Sequence, residues 1–422
     1  MLRIQTIGVV CAMSWLLATT AMAADAGDRV VEPVGAWAFK RIERAHQDLR
    51  AEQFDYVLAT LDEMKRNHKL NSHEQALMWQ AYGYAYIGKE DYESAADVLG
   101  RCLATGGLPF QAELHTRYNL AQILVMLERP EPAIAEFEEW FRHAENPTPA
   151  AYYMAAMAYM QGGDRRHAIE FVDRAIAGAA TPKESWLQLK NAMLVEEKDF
   201  DGAEDVLTEL IARYPKKAYW MQLAAIYSET KRHERALTTL ELVYLQGLFD
   251  QDSEYITLAQ MYLFNQIPFQ AAAVINDGLD KGVIKDSPQA WQLLADSWMH
   301  ARERDRALPP MRRAAELAKD GNLYVRLAQI LVDREEWGEA REAIAMAEEK
   351  GGLRHPGHAQ LLLGIASANE ERWGEAEQAF AAARQDEKTE KAADYWLRHL
   401  AERHAQSPNE QASVAGDTNP AG

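Results

Sequence analysis

The sequence predicts an all-α fold: a right-handed superhelical solenoid of about ten helix hairpins, closed by a C-terminal capping helix. Three observations predict it. A small residue recurs at Ala95, Ala133, Ala168, Ala203, Ala236, Ala271, Ala307, Ala340 and Ala376, at steps of 33 to 38 residues. Just upstream of each, a stretch such as Trp79-Gln80-Ala81-Tyr82-Gly83-Tyr84-Ala85-Tyr86 sets aromatic and small residues at i, i+3, i+4 and i+7, one stripe of a helix. The composition, 48% hydrophobic and 26% charged with only 15 Pro and 24 Gly in 422 residues, suits an ordered and extensively buried chain.

The pattern has a steric reason. Gly83 and Ala95 fall where two helices of a hairpin cross, and a larger side chain there would push the axes apart. Trp79, Tyr86 and Leu99 fill the space beside the crossing, and Gly88-Lys89-Glu90-Asp91 is the break between the helices. Trp, then Gly, then Tyr, followed by a small and a large apolar residue, resembles the tetratricopeptide pattern, a helix–turn–helix repeat of about 34 residues.

Taken in order, residues 1–23 read as a secretory signal peptide. Arg3 is followed by an apolar run, Ile7 to Leu17, and by Ala21-Met22-Ala23 as a small-x-small cleavage site. The run is too short to span a bilayer comfortably. Cys11 falls inside it without the flanking residues of a lipid-attachment site, which leaves Cys102 as the one cysteine of the exported chain. Its repeat position predicts that it is buried. Residues 24–35 read as a flexible leader and 36–388 as the solenoid.

The first hairpin, about 36–49 and 54–66, keeps Ala45, Val57, Leu61 and Met64 in register but lacks the aromatic positions, as a terminal repeat should. The third has Pro130 and Pro132 at its inter-helix turn. The fifth is the loosest, with Lys190 and Asn191 where a large apolar and a small residue are usual. In the seventh, Pro268 opens the second helix, where a missing N–H costs nothing. Pro309-Pro310 in the eighth implies a second helix that starts late or is kinked. A helix over 389–405, apolar at Ala392, Ala393, Trp396 and Leu400, suits a cap, and 406–422 reads as a disordered tail.

First helices of such hairpins line a concave wall, and the positions one step from the packing stripe face it. The candidates for partner binding are Gln80, Tyr84, Tyr118, Gln122, Tyr153, Met157 and Gln188, and further on Met221, Gln260, Gln292 and Gln329. This wall of Tyr, Met and Gln has almost no Lys or Arg, so the carboxylate clamp that some tetratricopeptide domains use cannot be assembled. It suits an extended or helical segment held by aromatic contacts and amide hydrogen bonds. Packing between adjacent first helices is the competing account of the same aromatics.

A net charge of -19 argues against nucleic acid or an anionic membrane surface as partner. Enzyme readings lack a constellation. The close pair His355-x-x-His358 has no third ligand at metal spacing, Gly162-Gly163 and Gly351-Gly352 are helix terminators, and no cofactor site is called.

Over roughly residues 215–385 a narrower resemblance appears. Gly247-Leu248 before Tyr255-Ile256-Thr257-Leu258-Ala259, Pro268-Phe269-Gln270-Ala271-Ala272, Trp291 to Trp298 and Lys350-Gly351-Gly352-Leu353 resemble periplasmic tetratricopeptide proteins that accompany TonB–ExbB–ExbD systems of Gram-negative bacteria. The resemblance implies a periplasmic, non-enzymatic accessory to TonB-dependent uptake of iron–siderophore or haem, with TonB, ExbB or ExbD as partner. The alternative is an assembly factor for an outer-membrane, pilus or exopolysaccharide export machine, where the same repeats occur.

Overall fold

The structure, a computed structural model, describes residues 30–66 and 69–415, with side chains as far as residue 402. The expected signal peptide, residues 24–29 of the leader and residues 416–422 of the tail lie outside the described residues. Among the described residues every regular element is an α-helix, 21 in all. The chain divides into two compact units, Met1–Val206 and Leu207–Gly422.

The first unit holds the hairpins α1 (Ala36–Arg50) with α2 (Phe54–Lys65), α3 (Ser72–Gly88) with α4 (Tyr92–Ala104), α5 (Phe110–Met126) with α6 (Pro130–His143), and α7 (Pro149–Gln161) with α8 (Arg165–Ala177). It continues with α9 (Glu184–Glu196), and the division falls inside α10 (Phe200–Arg213). The second unit pairs α11 (Lys217–Glu229) with α12 (His233–Leu245), α13 (Asp252–Phe264) with α14 (Pro268–Asp280), and α15 (Pro288–His300) with α16 (Arg304–Leu317). It goes on with α17 (Asn322–Asp333) and α18 (Trp337–Lys350), α19 (Pro356–Asn369) and α20 (Trp373–Ala383), and ends in α21 (Glu390–Ala415).

The recurring small residue does what its spacing predicts. All nine of the alanines from Ala95 to Ala376 are no more than 1% exposed. At the facing position, a Cβ built on Gly83 would lie 2.3 Å from Cδ2 of the buried Leu99, and one on Gly364 would lie 2.5 Å from the ring of the buried Phe380. Both neighbours are fully buried, so at these two crossings a Cβ would press on a packed side chain. Cys102 is fully buried, and its Sγ–H donates to the Ala76 carbonyl at 3.1 Å.

Each hairpin turns in the same way. The first helix ends on a residue with positive φ: Glu52, Glu90, Glu128, Lys198, Lys231, Gln266, Arg302, Glu335 and Glu371, with Gly163 in the remaining hairpin. The next residue's N–H then reaches back into the last turn, as in Asp91 to the Tyr86 carbonyl at 2.9 Å and Glu303 to the Trp298 carbonyl at 2.9 Å. This left-handed cap satisfies carbonyls that a helix end otherwise leaves open.

Two first helices, α3 and α13, are also capped at their starts by buried glutamates. Glu74 accepts from the N–H of Asn71 at 3.1 Å and of Gly35 at 2.7 Å, while Asn71 accepts from the Glu74 N–H. Glu254 accepts from the N–H groups of Asp250 and Gln251, and Lys217 pairs with it at 2.7 Å. A carboxylate held at a helix N-terminus this way opposes the positive end of the dipole, which offsets its burial.

Three local expectations are revised, and the odd pair of the fifth repeat is seen to be accommodated. Pro130 is the first residue of α6 and Pro132 lies in its first turn, so both prolines belong to the helix rather than to the turn before it. The second helix of the eighth hairpin does not start late: α16 begins at Arg304 and runs through Pro309 and Pro310. In the loosest repeat, Lys190 keeps its ammonium at the surface by reaching Asp173 of α8 at 2.7 Å, and Asn191 is buried. The last helix begins at Glu390 and runs past the expected end at residue 405, to Ala415.

Candidate partner-binding faces

In the first unit, the predicted positions of α3, α5 and α7 lie on one side of their helices, and much of their side-chain surface is turned to the protein. Gln80 donates to the Thr116 hydroxyl of the next first helix at 2.9 Å. Tyr84 is half-buried and bonded to Asn119, and burial pushes its phenol above the ordinary range, with Cys102 adding to the effect and the Asn119 bond opposing it. Tyr118 packs against Trp140 at 4.8 Å and Phe137 at 6.1 Å, both on α6 of its own hairpin. Tyr153 stacks on Trp186 of α9 at 5.7 Å and bonds to Ser185, and burial raises its phenol as well. Met157 is 9% exposed. Gln122 is half-buried, and Gln188 is exposed beside exposed Val195 on α9.

In the second unit, Met221 is half-buried and packs into the core around Leu240 and Tyr255. Gln260 is exposed. Gln292 approaches Asp296 within its own helix at 3.5 Å, and Gln329 donates to Asp333 at 2.9 Å. Asp296 pairs with Arg326 of α17. A wall read as nearly free of cations therefore carries an ion pair between neighbouring first helices.

The structure thus brings Gln80, Tyr84, Tyr118, Gln122, Tyr153 and Met157 together on consecutive first helices of one unit, and Met221, Gln260, Gln292 and Gln329 on those of the other. In the first set Tyr84, Tyr118 and Tyr153 are half-buried, with the rings of Tyr118 and Tyr153 packed on Trp140 and Trp186; in the second, Gln260 is exposed and Gln292 and Gln329 are half-buried. Trp140, Trp186, Thr116, Asn119 and Ser185 hold these side chains and escaped the sequence reading. Only Trp186 carried a signal, an aromatic one step ahead of a first-helix packing position at Leu187.

Among the described residues, no three His, Cys, Asp or Glu side chains gather at metal-binding distance, and no helix is long and apolar enough to cross a membrane. His355 precedes α19 without a side-chain capping bond, and burial, with the charge of His355 beside it, lowers the pKa of His358.

Two tetratricopeptide repeat models match the sequence, over residues 149–177 and 194–253. Over those residues the chain carries tetratricopeptide repeats, and the other hairpins repeat the same helix–turn–helix pattern. No curated protein matches the chain significantly. Among solved structures it is similar to YrrB, described as a TPR protein with an unusual peptide-binding site, at 20% identity over 46% of this chain and 98% of that one, with a TM-score of 0.36. It is also similar to the C-terminal part of a TPR repeat-containing protein from Cytophaga hutchinsonii, at 12% identity, 66% and 99% coverage and a TM-score of 0.36. MamA from Desulfovibrio magneticus RS-1 is similar at 20% identity, 43% and 96% coverage, and a TM-score of 0.36.

Proposed function

We propose that the protein is a non-enzymatic interaction scaffold of the Gram-negative periplasm, exported by residues 1–23, which serves TonB–ExbB–ExbD energy transduction in outer-membrane uptake of iron–siderophore or haem. Tetratricopeptide repeats are in general protein-binding modules, because stacked hairpins present a long, regular face. The observation that carries the reading is the row of half-buried tyrosines and of glutamines on α3, α5, α7 and α9. Tyr84, Gln122, Tyr153 and Gln188 recur at regular spacing along neighbouring first helices, a row of phenol and amide groups that suits the backbone of an extended segment. The assignment to the TonB system rests on the resemblance of residues 215–385.

The test is affinity purification from envelope extracts with a C-terminal tag, followed by mass spectrometry. Enrichment of TonB, ExbB or ExbD, lost in a Gln122→Lys, Gln188→Lys double variant that melts like the parent, is the expected result. Enrichment of export-machine proteins in place of all three would transfer the function to assembly of that machine and refute the TonB assignment.

A further inference from the structure

The second unit has a surface cleft of about 640 Å³ that belongs to none of the predicted positions. Helix α15 forms its floor and α14 and α16 its sides. Trp291 and Trp298 lie on the floor, and Arg306, Pro309, Pro310 and Arg313 on the α16 side. Both tryptophans stand at packing positions of the repeat, yet both are only half-buried.

Three features distinguish the cleft from ordinary repeat packing. The first is spacing. Trp291 and Trp298 are seven residues apart on one helix, and so are Arg306 and Arg313 on the next, which puts each pair about 10 Å apart along its axis. A polyproline-II chain repeats every three residues, or about 9 Å. The two ladders therefore match successive turns of such a chain, side by side.

The second feature is charge. Arg306 stacks over the rings of Trp298 at 5.0 Å and Phe269 at 5.6 Å, and among the described residues no carboxylate pairs with it. Stacking occupies the face of a guanidinium and leaves its N–H edge available to an acceptor. Arg313 is held by Asp286, which also accepts the Trp291 indole N–H, so that ring is fixed in place. In a chain with a net charge of -19, an unpaired arginine beside two tryptophans is a local reversal of sign.

The third feature is cost. A proline inside a helix removes a backbone bond and crowds the preceding turn, at about 3 kcal/mol or more. Two in succession leave the carbonyls of Asp305 and Arg306 without their usual helical donors. Pro310 is buried and Pro309 is exposed beside the tryptophans, where its ring adds a flat apolar surface. Packing within the repeat calls for neither.

We infer that this cleft binds a proline-rich segment in polyproline-II conformation that carries carboxylates at its three-residue period. Prolines of the ligand lie against Trp291, Trp298 and Pro309, and its carboxylates meet the N–H edge of Arg306. The preformed conformation of such a segment keeps the entropic cost of binding low. The inference holds whatever pathway the protein serves, because it concerns a different face from the first-helix row.

The test uses the purified full chain and three fluorescein-labelled dodecapeptides: Pro-Pro-Glu, Gly-Ser-Glu and Pro-Pro-Lys, each repeated four times. Saturable anisotropy is expected for the first alone, weakened about tenfold by Arg306→Glu through loss of a charge-assisted contact. That residue is exposed, so the variant should melt with the parent. Arg101→Glu, at the register of Arg313 in the second hairpin, should leave binding unchanged. Absence of saturable binding by the Pro-Pro-Glu peptide would overturn the inference, as would equal binding by the Gly-Ser-Glu peptide. So would full affinity in Arg306→Glu.

Discussion

Hairpins α3–α4 and α15–α16 have the same cleft in the same register and furnish it with opposite chemistry. Aligning Ala95 with Ala307 puts Trp79 on Trp291, Tyr86 on Trp298, Ser94 on Arg306, Asp97 on Pro309, Val98 on Pro310 and Arg101 on Arg313. The earlier cleft, about 400 Å³, closes on its own side chains. Lys65 and Arg101 approach the Trp79 ring at 5.5 and 5.4 Å, Arg101 pairs with Asp97, and the Tyr82 hydroxyl donates to Asp62. Its cations are spent on its own ring and carboxylates. In the later cleft Arg306 answers to rings alone, and prolines replace the helix-compatible Asp97 and Val98. A shared backbone position thus leaves the choice between closing a groove and offering it to a partner to a few side chains.

The largest contrast is expected at the crossing. Replacing Gly83 by Leu forces a side chain into the space of Leu99 and should cost about 3 kcal/mol, the upper range for overpacking. Ala295, its counterpart in the later hairpin, already carries a Cβ, so Ala295→Gly should cost only about 1 kcal/mol through helix propensity. Urea unfolding of the two variants measures both. Equal losses would mean that the two crossings are not sterically distinct.

Next in size is the exchange of the prolines. Writing the earlier hairpin into the later one, as Pro309→Asp with Pro310→Val, restores two helical N–H donors. It should stabilise the protein by about 2 kcal/mol, less than the full proline penalty because proline also restricts the unfolded chain. The same variant should lose the proline-rich peptide. Stabilisation with binding intact would assign the ligand to the tryptophans and Arg306 alone.

How much of this could be read from sequence follows from what each feature does to residue types. The nine alanines were legible because a helix crossing tolerates little else, and so was the burial of Cys102 at the same kind of position. The wall was legible only as a list of positions. Periodicity says which way Tyr118 and Tyr153 start from their helices, but not that Trp140 and Trp186 are waiting to stack on them. The cleft was missed because Trp291 and Trp298 match the packing pattern, and only the structure leaves them half-exposed. Pro309-Pro310 gave the one hint, read as a late start or a kink of the helix, with nothing to say that Pro309 would lie exposed beside the tryptophans.

The register also separates the hairpins by pH. Burial pushes the Cys102 thiol up to about 12, and Ala314 takes the equivalent place in the later hairpin. An unfolded chain releases that proton near pH 9, while the folded one retains it, so above pH 9 the unfolded state binds fewer protons and stability falls as pH rises toward 12. The expected slope from this group is about 1.4 kcal/mol per pH unit. Burial also raises the Tyr82 phenol, with Asp62 adding to the effect, and the sign is the same. Urea midpoints from pH 8 to 10.5 should decline in the parent and decline less steeply in Cys102→Ala. Superimposable curves would remove the thiol from the account.

The smallest effect is where the two hairpins should agree. Glu90 and Arg302 both adopt the left-handed cap, with φ of 60° and 61°, and both are exposed. A side chain costs about 1–2 kcal/mol in that conformation, and glycine does not suffer it but loses more freedom on folding. Glu90→Gly and Arg302→Gly should each therefore stabilise by about 0.5 kcal/mol, a balance of those two terms. The turn is a backbone device common to the repeats, so the gains should match within error, whatever separates the clefts above. A gain confined to one hairpin would mean that the side chain at that turn has work of its own. For Arg302 that would extend the basic side of the later cleft by one more residue, and Arg302→Gly would then weaken the Pro-Pro-Glu peptide as well.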